Sequence, residues 1–548
     1  MRTRITSAIV AALSLAACTD GGAPLTIGAR ILEGRDFHDT WFWRPRSLAF
    51  TRPAASGRSG LDDLWVRELD EAEPRLALTD LQWNADAWPV VRIGNVLATG
   101  NDHETHVYDV DKHASQSLPL GTVVLSPDGS ALAYWEYPNL SVGLNAIGPV
   151  KGEGGVEAFV IRAGAFMGSD LAALGHPSGD PAGAQVLARL SPADGSVTVL
   201  AAGLPEWDPA LSDVVAASCF KLSTEMCRFF QVLGCTADTQ ACPETGEIPC
   251  AIVYAREVPG STPGSTPASF DVAAYDVNRA IEVPIEARVR FDSRLLRSPD
   301  GRRIAWTDGT ALNVWDACAR RALQCAGPVE LGAAEISPEA WRPDGRAVRA
   351  ILGRQSLLMM SAEDGSCVLP GTVAPTFVFY SDDGTKMGWL DHPFSGPDRT
   401  LWMADGLARG AVALASGPIV DAFFSADTRF LVIRRLHDST GSIGVIDLNA
   451  ANPVERPIAS ATSFIRIALG ARRLAALTRW NSQDDSGQIE LFDLERETST
   501  VLAERATTLT VAGSVDDAVD IAYVVRTRVP SAFDGLWLAT LPAAGAPR

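Results

Sequence analysis

A chain of 548 residues is longer than one hydrophobic core can serve, since single cores stop growing near roughly 250–300 residues. Its 47% hydrophobic content marks a globular chain and excludes wholesale disorder. A formal charge of −19, with no Lys/Arg-rich run to offset it, excludes nucleic acid as a partner and predicts repulsion from anionic lipid heads.

The chain opens with Met1-Arg2-Thr3-Arg4, an uncharged stretch from Ile5 to Ala17, and then Cys18. Two arginines followed by small and apolar residues have the layout of a secretory signal over 1–17. The stretch is too short to span a bilayer, which takes about 20 apolar residues. Leu15-Ala16-Ala17-Cys18 resembles the bacterial lipobox. That resemblance implies cleavage before Cys18, a diacylglycerol on its thiol, and a membrane hold through lipid alone. Each buried acyl methylene adds about 0.8 kcal/mol to such a hold. An ordinary cleaved signal that happens to contain a cysteine is the alternative. By the enterobacterial sorting rule, Thr19 in place of Asp points to the outer membrane, on its periplasmic side or at the surface. Residues 18–36 read as a lipidated tether, rich in Gly from Thr19 to Leu25, followed by a possible closing strand at Leu25 to Leu32.

Beyond the tether a short pattern recurs: a turn signal, a small or apolar strand, a polar loop and a second apolar strand. Its clearest turns are Ser126-Pro127-Asp128-Gly129 and Ser298-Pro299-Asp300-Gly301. Trp341-Arg342-Pro343-Asp344-Gly345 and Tyr380-Ser381-Asp382-Asp383-Gly384 share the form, and Phe424-Ser425-Ala426-Asp427 is a decayed copy. Trp43-Arg44-Pro45 and Trp207-Asp208-Pro209 fit in the first half. The second strand recurs as Leu64-Trp65-Val66, Val107-Tyr108-Asp109-Val110, Val314-Trp315-Asp316, Leu401-Trp402-Met403, Val445-Ile446-Asp447-Leu448, Leu491-Phe492-Asp493-Leu494 and Leu536-Trp537-Leu538. Pro presets φ at the second position of a type I turn, Gly suits the fourth, and Asp bonds nearby backbone. The Asp residues are therefore expected to shape turns rather than to carry chemistry.

Anchors fall near 44, 84, 126, 165, 208, 298, 342, 381, 425, 468 and 515. A period of about 40–45 residues with four strands per unit is the signature of a propeller blade. The long step from 208 to 298 predicts either one blade with a large insertion or two blades. The pattern resembles the WD40-like Pro-Asp repeat of the TolB propeller and of tricorn-type and prolyl-oligopeptidase-type proteases. The expected fold is all-β, a β-propeller of about eleven or twelve four-stranded blades. Because propellers typically have 4 to 8 blades, the units read as two propellers in tandem, 37–285 and 286–548; one large ring is the alternative. Strands from both chain ends in one sheet would remove a free edge.

Candidate chemistry is sparse. His103, His106, Asp109, Asp111 and His113 cluster, and imidazole and carboxylate both ligate metals. Asp111-Lys112-His113 reads more simply as a hairpin turn, so no metal is expected. Trp41, Trp43, Trp83, Trp88, Trp207 and Trp341 are read as packing between blades rather than as a recognition surface. After Cys18, eight cysteines remain: Cys219, Cys227, Cys235, Cys242 and Cys250 in an insertion over 217–251, the close pair Cys318 and Cys325, and Cys367. An exported chain without Cys-x-x-Cys pairs is expected to hold disulfides rather than zinc or a redox centre. Five cysteines in one segment cannot all pair internally, so at least one reaches outside it or stays free. Gly-x-Ser-x-Gly, His-Glu-x-x-His and a phosphate-cradling Gly loop are absent, as is a Gly-rich helical region after the repeats, so protease chemistry is not expected.

The expected function is a lipid-anchored, non-enzymatic binding or scaffold protein of the bacterial cell envelope, without cofactor. It touches the membrane through the Cys18 lipid and recognises partners through loops, foremost 217–251. By the TolB resemblance those partners are other envelope proteins. The alternative is a propeller enzyme, a hydrolase or lyase acting on glycan or peptide, with a loop-built site at one propeller mouth.

Overall fold

The computed structural model describes residues 27–44, 46–81, 91–93, 96–100, 104–119, 122–125, 131–136, 139–144, 159–177, 185–191, 196–204, 230–235, 239, 241–257, 269–290, 295–308, 311–326, 334–336, 340–352, 356–370, 375–391, 398–437, 440–462, 467–527 and 530–544. Every regular element among them is a β-strand. Consecutive strands pair antiparallel into four-stranded sheets, the blades of a β-propeller. In chain order, blades one to ten run over 40–81, 91–119, 122–144, 159–204, 230–290, 296–326, 334–368, 375–417, 419–462 and 467–506. Blade three shows three strands among the described residues. Blade eleven takes strands from 510–541 and its fourth, Ala29–Glu33, from near the other end of the chain. There Ala29 lies opposite Leu538 and Glu33 opposite Gly535. Ala506 opposite Val525 joins blades ten and eleven into one eight-stranded sheet.

In the step from 208 to 298 the described residues form one sheet, blade five. Residues 285 and 286, where the anchors change regularity, lie inside its last strand, Ile281–Arg290. The segment 217–251 supplies blade five with its first strand, Phe230–Gly234, and the start of its second, Cys250–Glu257. The described residues between those strands, 235, 239 and 241–249, therefore belong to a loop within the blade. The chain divides into two compact units: 1–53, 64–76 and 417–548 make one, and 54–63 with 77–416 the other.

The recurring turn is a side-chain clamp. In blade six Gly301 N donates to Ser298 O at 2.9 Å, and Arg303 N donates to Ser298 Oγ at 2.9 Å. Asp300 Oδ1 accepts from Arg302 N at 3.1 Å and from the Ser298 hydroxyl. The same contacts recur at Ser381 with Asp383 and at Ser425 with Asp427. All three serines are buried, so each hydroxyl needs these partners. Gly301, Gly345 and Gly384 take φ of +71°, +70° and +67°, the left-handed region that suits glycine. In the decayed copy Thr428 holds that place at φ 62°.

A second device closes the third strand of blades two, five, six, eight, nine and ten. Asp316 Oδ1 accepts from Cys318 N (2.8 Å) and Ala319 N (3.0 Å), and Asp109, Asp276, Asp405, Asp447 and Asp493 do the same work in theirs. The expectation that the Asp residues of the recurring turn shape it holds at Asp300, Asp383 and Asp427.

Strand alternation then sends successive side chains to opposite faces. In one unit Leu474 and Ala476 pack toward Phe430, Val432, Ile443 and Val445 of blade nine. Ala475 and Leu477, one residue out of phase, pack toward Ile521 and Tyr523 of blade eleven. Ala522 and Val524 in turn face Leu48 and Phe50 of blade one and Phe37 just before it. In the other unit Ile304 and Trp306 join the core of blade five, while Ala305 joins that of blade seven. Blades six, ten and eleven are thus apolar on both faces because a neighbour covers each face. Trp43 and Trp341 are buried, and Trp341 Nε1 donates to Leu296 O at 2.9 Å. Trp83, Trp88 and Trp207 lie outside the described residues.

Candidate functional site

The stapled loop of blade five builds a cleft. Gly234, at φ +70°, ends the first strand, and a Cβ there would lie 1.8 Å from Pro249 O, so only glycine permits the close approach that starts the loop. Cys235 pairs with Cys250 across Cα atoms 4.4 Å apart and closes the loop at its base. Within it Cys242 N donates to Glu247 O at 2.8 Å. Cys242 then pairs with Cys318, Cα to Cα 5.4 Å, in the turn after the third strand of blade six. Cys325 pairs with Cys367, 6.1 Å apart, and ties blade six to blade seven. One cysteine of the 217–251 segment thus reaches outside it. Cys219 and Cys227, like Cys18 and the whole of 1–26, lie outside the described residues.

Between loop, blade five and blade six lies a cleft of about 260 Å³ with the Cys242–Cys318 bridge in its wall. Its polar lining is Thr245, Glu247, Asp276, Asn278, Arg279 and Arg320, and Trp315, itself buried, borders it. Asp276 ends the third strand of blade five, and its side chain is only 11% exposed. Two guanidiniums converge on its Oδ2: Arg279 Nη1 at 3.0 Å and Arg320 Nη2 at 2.8 Å. Arg279 Nη2 also meets Glu247 Oε2 at 3.3 Å, where the Glu247 side chain is 58% exposed. Asn278 Nδ2 donates to Ile248 O at 3.0 Å and pins the loop to blade five. Arg320 sits at φ 50° in the turn that Asp316 caps, which brings its head beside Asp276.

This arrangement can hold an anion. Guanidiniums offer donors in a fixed fork that matches carboxylate geometry. Both cleft carboxylates are engaged by Arg279, and the cysteines at its edge are in disulfides. The described lining contains no histidine or lysine, and its one hydroxyl, Thr245 Oγ1, accepts from Glu247 N at 3.2 Å.

The other candidates fall elsewhere. His106 is buried with Nδ1 2.9 Å from Ser117 Oγ, and Asp109 caps the turn at 111 and 112 and pairs with Lys112 at 3.1 Å. Asp111 and His113 are exposed on that turn, and His103 lies outside the described residues. Among the described residues no group of three or more His, Cys, Asp and Glu is placed to hold a metal. No functional motif in the sequence singles out Asp276, Arg279 or Arg320. The signal for Asp276 was present, since Tyr275-Asp276 repeats the Trp315-Asp316 strand end.

No family model matches the chain, and no curated protein matches it. Among solved structures it is similar to a eukaryotic initiation factor, at 12% identity over 83% of this chain and 95% of that one, TM-score 0.36. It is similar to the tricorn protease at 12% identity over 93% of this chain and 61% of that one, TM-score 0.28. TolB from Acinetobacter baumannii shares 13% identity over 62% of this chain and 95% of that one, TM-score 0.24. The scores are low, and the fold rests on the chain's own sheets, strand by strand. The chain is a β-propeller protein. Among the described residues of this propeller, disulfides, a loop and two guanidiniums meet in the cleft between blades five and six.

Proposed function

We propose that this propeller is a non-enzymatic binding protein of the bacterial cell envelope, held to the membrane by lipid on Cys18, with the cleft between blades five and six as its recognition site. One observation carries the binding reading: a covalently braced cleft whose charged groups are two guanidiniums already paired with carboxylates, a set suited to gripping a ligand rather than transforming it. The Leu15-Ala16-Ala17-Cys18 sequence supports the anchoring, and disulfides support an oxidising compartment.

Envelope proteins captured on the full chain test it. Arg279→Glu reverses the charge at one exposed side chain of the cleft, and it is expected to remove a defined subset of the captured proteins. Cys18→Ala is expected to abolish incorporation of labelled fatty acid and to move the protein out of the membrane fraction. A captured set unchanged by Arg279→Glu would refute the cleft as the recognition site, and fatty-acid labelling that survives Cys18→Ala would refute the anchor.

A further inference from the structure

We infer that the cleft takes a free carboxylate, of the kind a peptide chain presents at its C-terminus, on Arg279 and Arg320. This deepens the binding reading above and rests on it.

The first ground is charge. The chain as a whole carries −19, so an anion approaching most of its surface is repelled. Inside the cleft two guanidiniums face one well-buried carboxylate, Asp276, and both meet the same oxygen, Oδ2. Glu247 supplies the remaining negative charge from the rim, with its side chain 58% exposed and one contact of 3.3 Å. An exposed pair of that sort is worth about 0–1 kcal/mol. A ligand can therefore replace Glu247 with little loss. Once Glu247 swings out, two positive charges against Asp276 leave one unit of positive charge. That matches a monoanionic carboxylate, and a phosphate dianion would be held against the Asp276 charge.

The second ground is donor geometry. Each guanidinium has five N–H donors. The described contacts of Arg279 use Nη1 and Nη2, and those of Arg320 use Nη2. The other donors remain for a ligand, and paired parallel N–H···O bonds to a carboxylate are the strongest use of them.

The third ground is size and lining. A volume of about 260 Å³ takes one or two residues rather than a folded surface, and Pro249, Ala251, Val283 and Ala317 give it apolar walls. A carboxylate attached to a small apolar residue satisfies both halves of the cleft.

Calorimetric titration of the disulfide-intact full chain tests this with N-acetyl-alanyl-alanine as the free acid, the same dipeptide as its C-terminal amide, and inorganic phosphate. The acid is expected to bind at least ten-fold tighter than the amide and tighter than phosphate. Arg279→Gln and Arg320→Gln should each weaken the acid at least ten-fold. Glu247→Ala, which removes the competing carboxylate, should tighten it up to about five-fold, a gain that damage to the fold cannot produce. No binding of the acid, equal binding of acid and amide, or a preference for phosphate overturns the inference. If Arg279→Glu removes envelope partners while acid and amide bind alike, the carboxylate assignment fails and the recognition site stands. If the acid binds as expected while the captured set is unchanged, the recognition reading fails alone.

Discussion

Arg303 shows how far one side chain of the repeat reaches. It is 6% exposed, and its guanidinium donates to Asp300 at 3.0 Å, to Asp316 at 2.8 Å and to the Gly345 carbonyl in the next blade at 3.0 Å. It therefore ties the turn clamp of blade six to its strand-end cap and to blade seven. Removing one partner of a buried ion pair typically destabilises by about 3–5 kcal/mol, because the remaining charge has no counterpart. Arg303→Met is expected to fall in that range in urea unfolding, and adding Asp300→Asn and Asp316→Asn should recover part of the loss. Tyr380 gives a second test at the same scale. Its hydroxyl lies 3.7 Å from Met359 Sδ, and burial pushes the phenol up to about 12, against the pull of the Arg349 and Arg342 guanidiniums. The folded form therefore keeps its proton where the unfolded chain, near 10, has released it. This contribution is fully present below pH 10 and is lost as pH rises toward 12. Tyr380→Phe should flatten that part of the stability profile relative to the parent chain, with tyrosinate absorbance following the titration.

At the scale of elements, the loop between the first two strands of blade five is held by its bridges at Cys235 and Cys242. In chain-entropy terms a link between residues 76 apart in sequence, Cys242–Cys318, stabilises by about 4 kcal/mol. The paired substitution Cys242→Ser with Cys318→Ser is expected to lower stability by that order. Its signature should be local: hydrogen exchange should quicken over 241–250 and 317–320 before the blade strands respond. Uniform acceleration across blades five to seven would show that the bridge supports the blades themselves and not the loop. The blades own other cohesion, since Phe230, Tyr254, Trp306 and Trp315 share one core without help from sulfur.

For the whole molecule, the decisive contact joins the two ends of the chain. Ala29–Glu33 is the fourth strand of blade eleven, and around it Ile27 N donates to Leu502 O at 3.0 Å while Arg35 pairs with Asp534 at 3.1 Å. Gly28 sits at φ +119°, and a Cβ there would lie 2.2 Å from Leu538 O. Gly28→Ala should therefore peel this strand away, and limited proteolysis should then cut between 27 and 36 and expose the cluster of Phe37, Leu48 and Leu536. A protease pattern unchanged by the substitution would mean that the strand contributes nothing to holding blade eleven.

The repeat was legible because its information is local. Ser-Pro-Asp-Gly and the strand-ending Asp carry turn chemistry within a few residues, and alternation within each strand follows from the pleat. The single blade in the long step was not legible, because 217–251 looks like an insertion until Phe230–Gly234 is seen to pair with Cys250–Glu257. Nor could the sequence pair the cysteines: Cys318 and Cys325 are near neighbours, yet each bridges to a different element. The cleft was equally hidden. Asp276 and Arg279 belong to one blade and Arg320 to the next, and nothing local says that those two turns face a common space. Period, turn chemistry and strand face follow from interactions over a few residues, so the sequence by itself determined them. Which loops meet, which cysteines bond and which charges share an oxygen depend on blades packing side by side, and only the tertiary structure decided those.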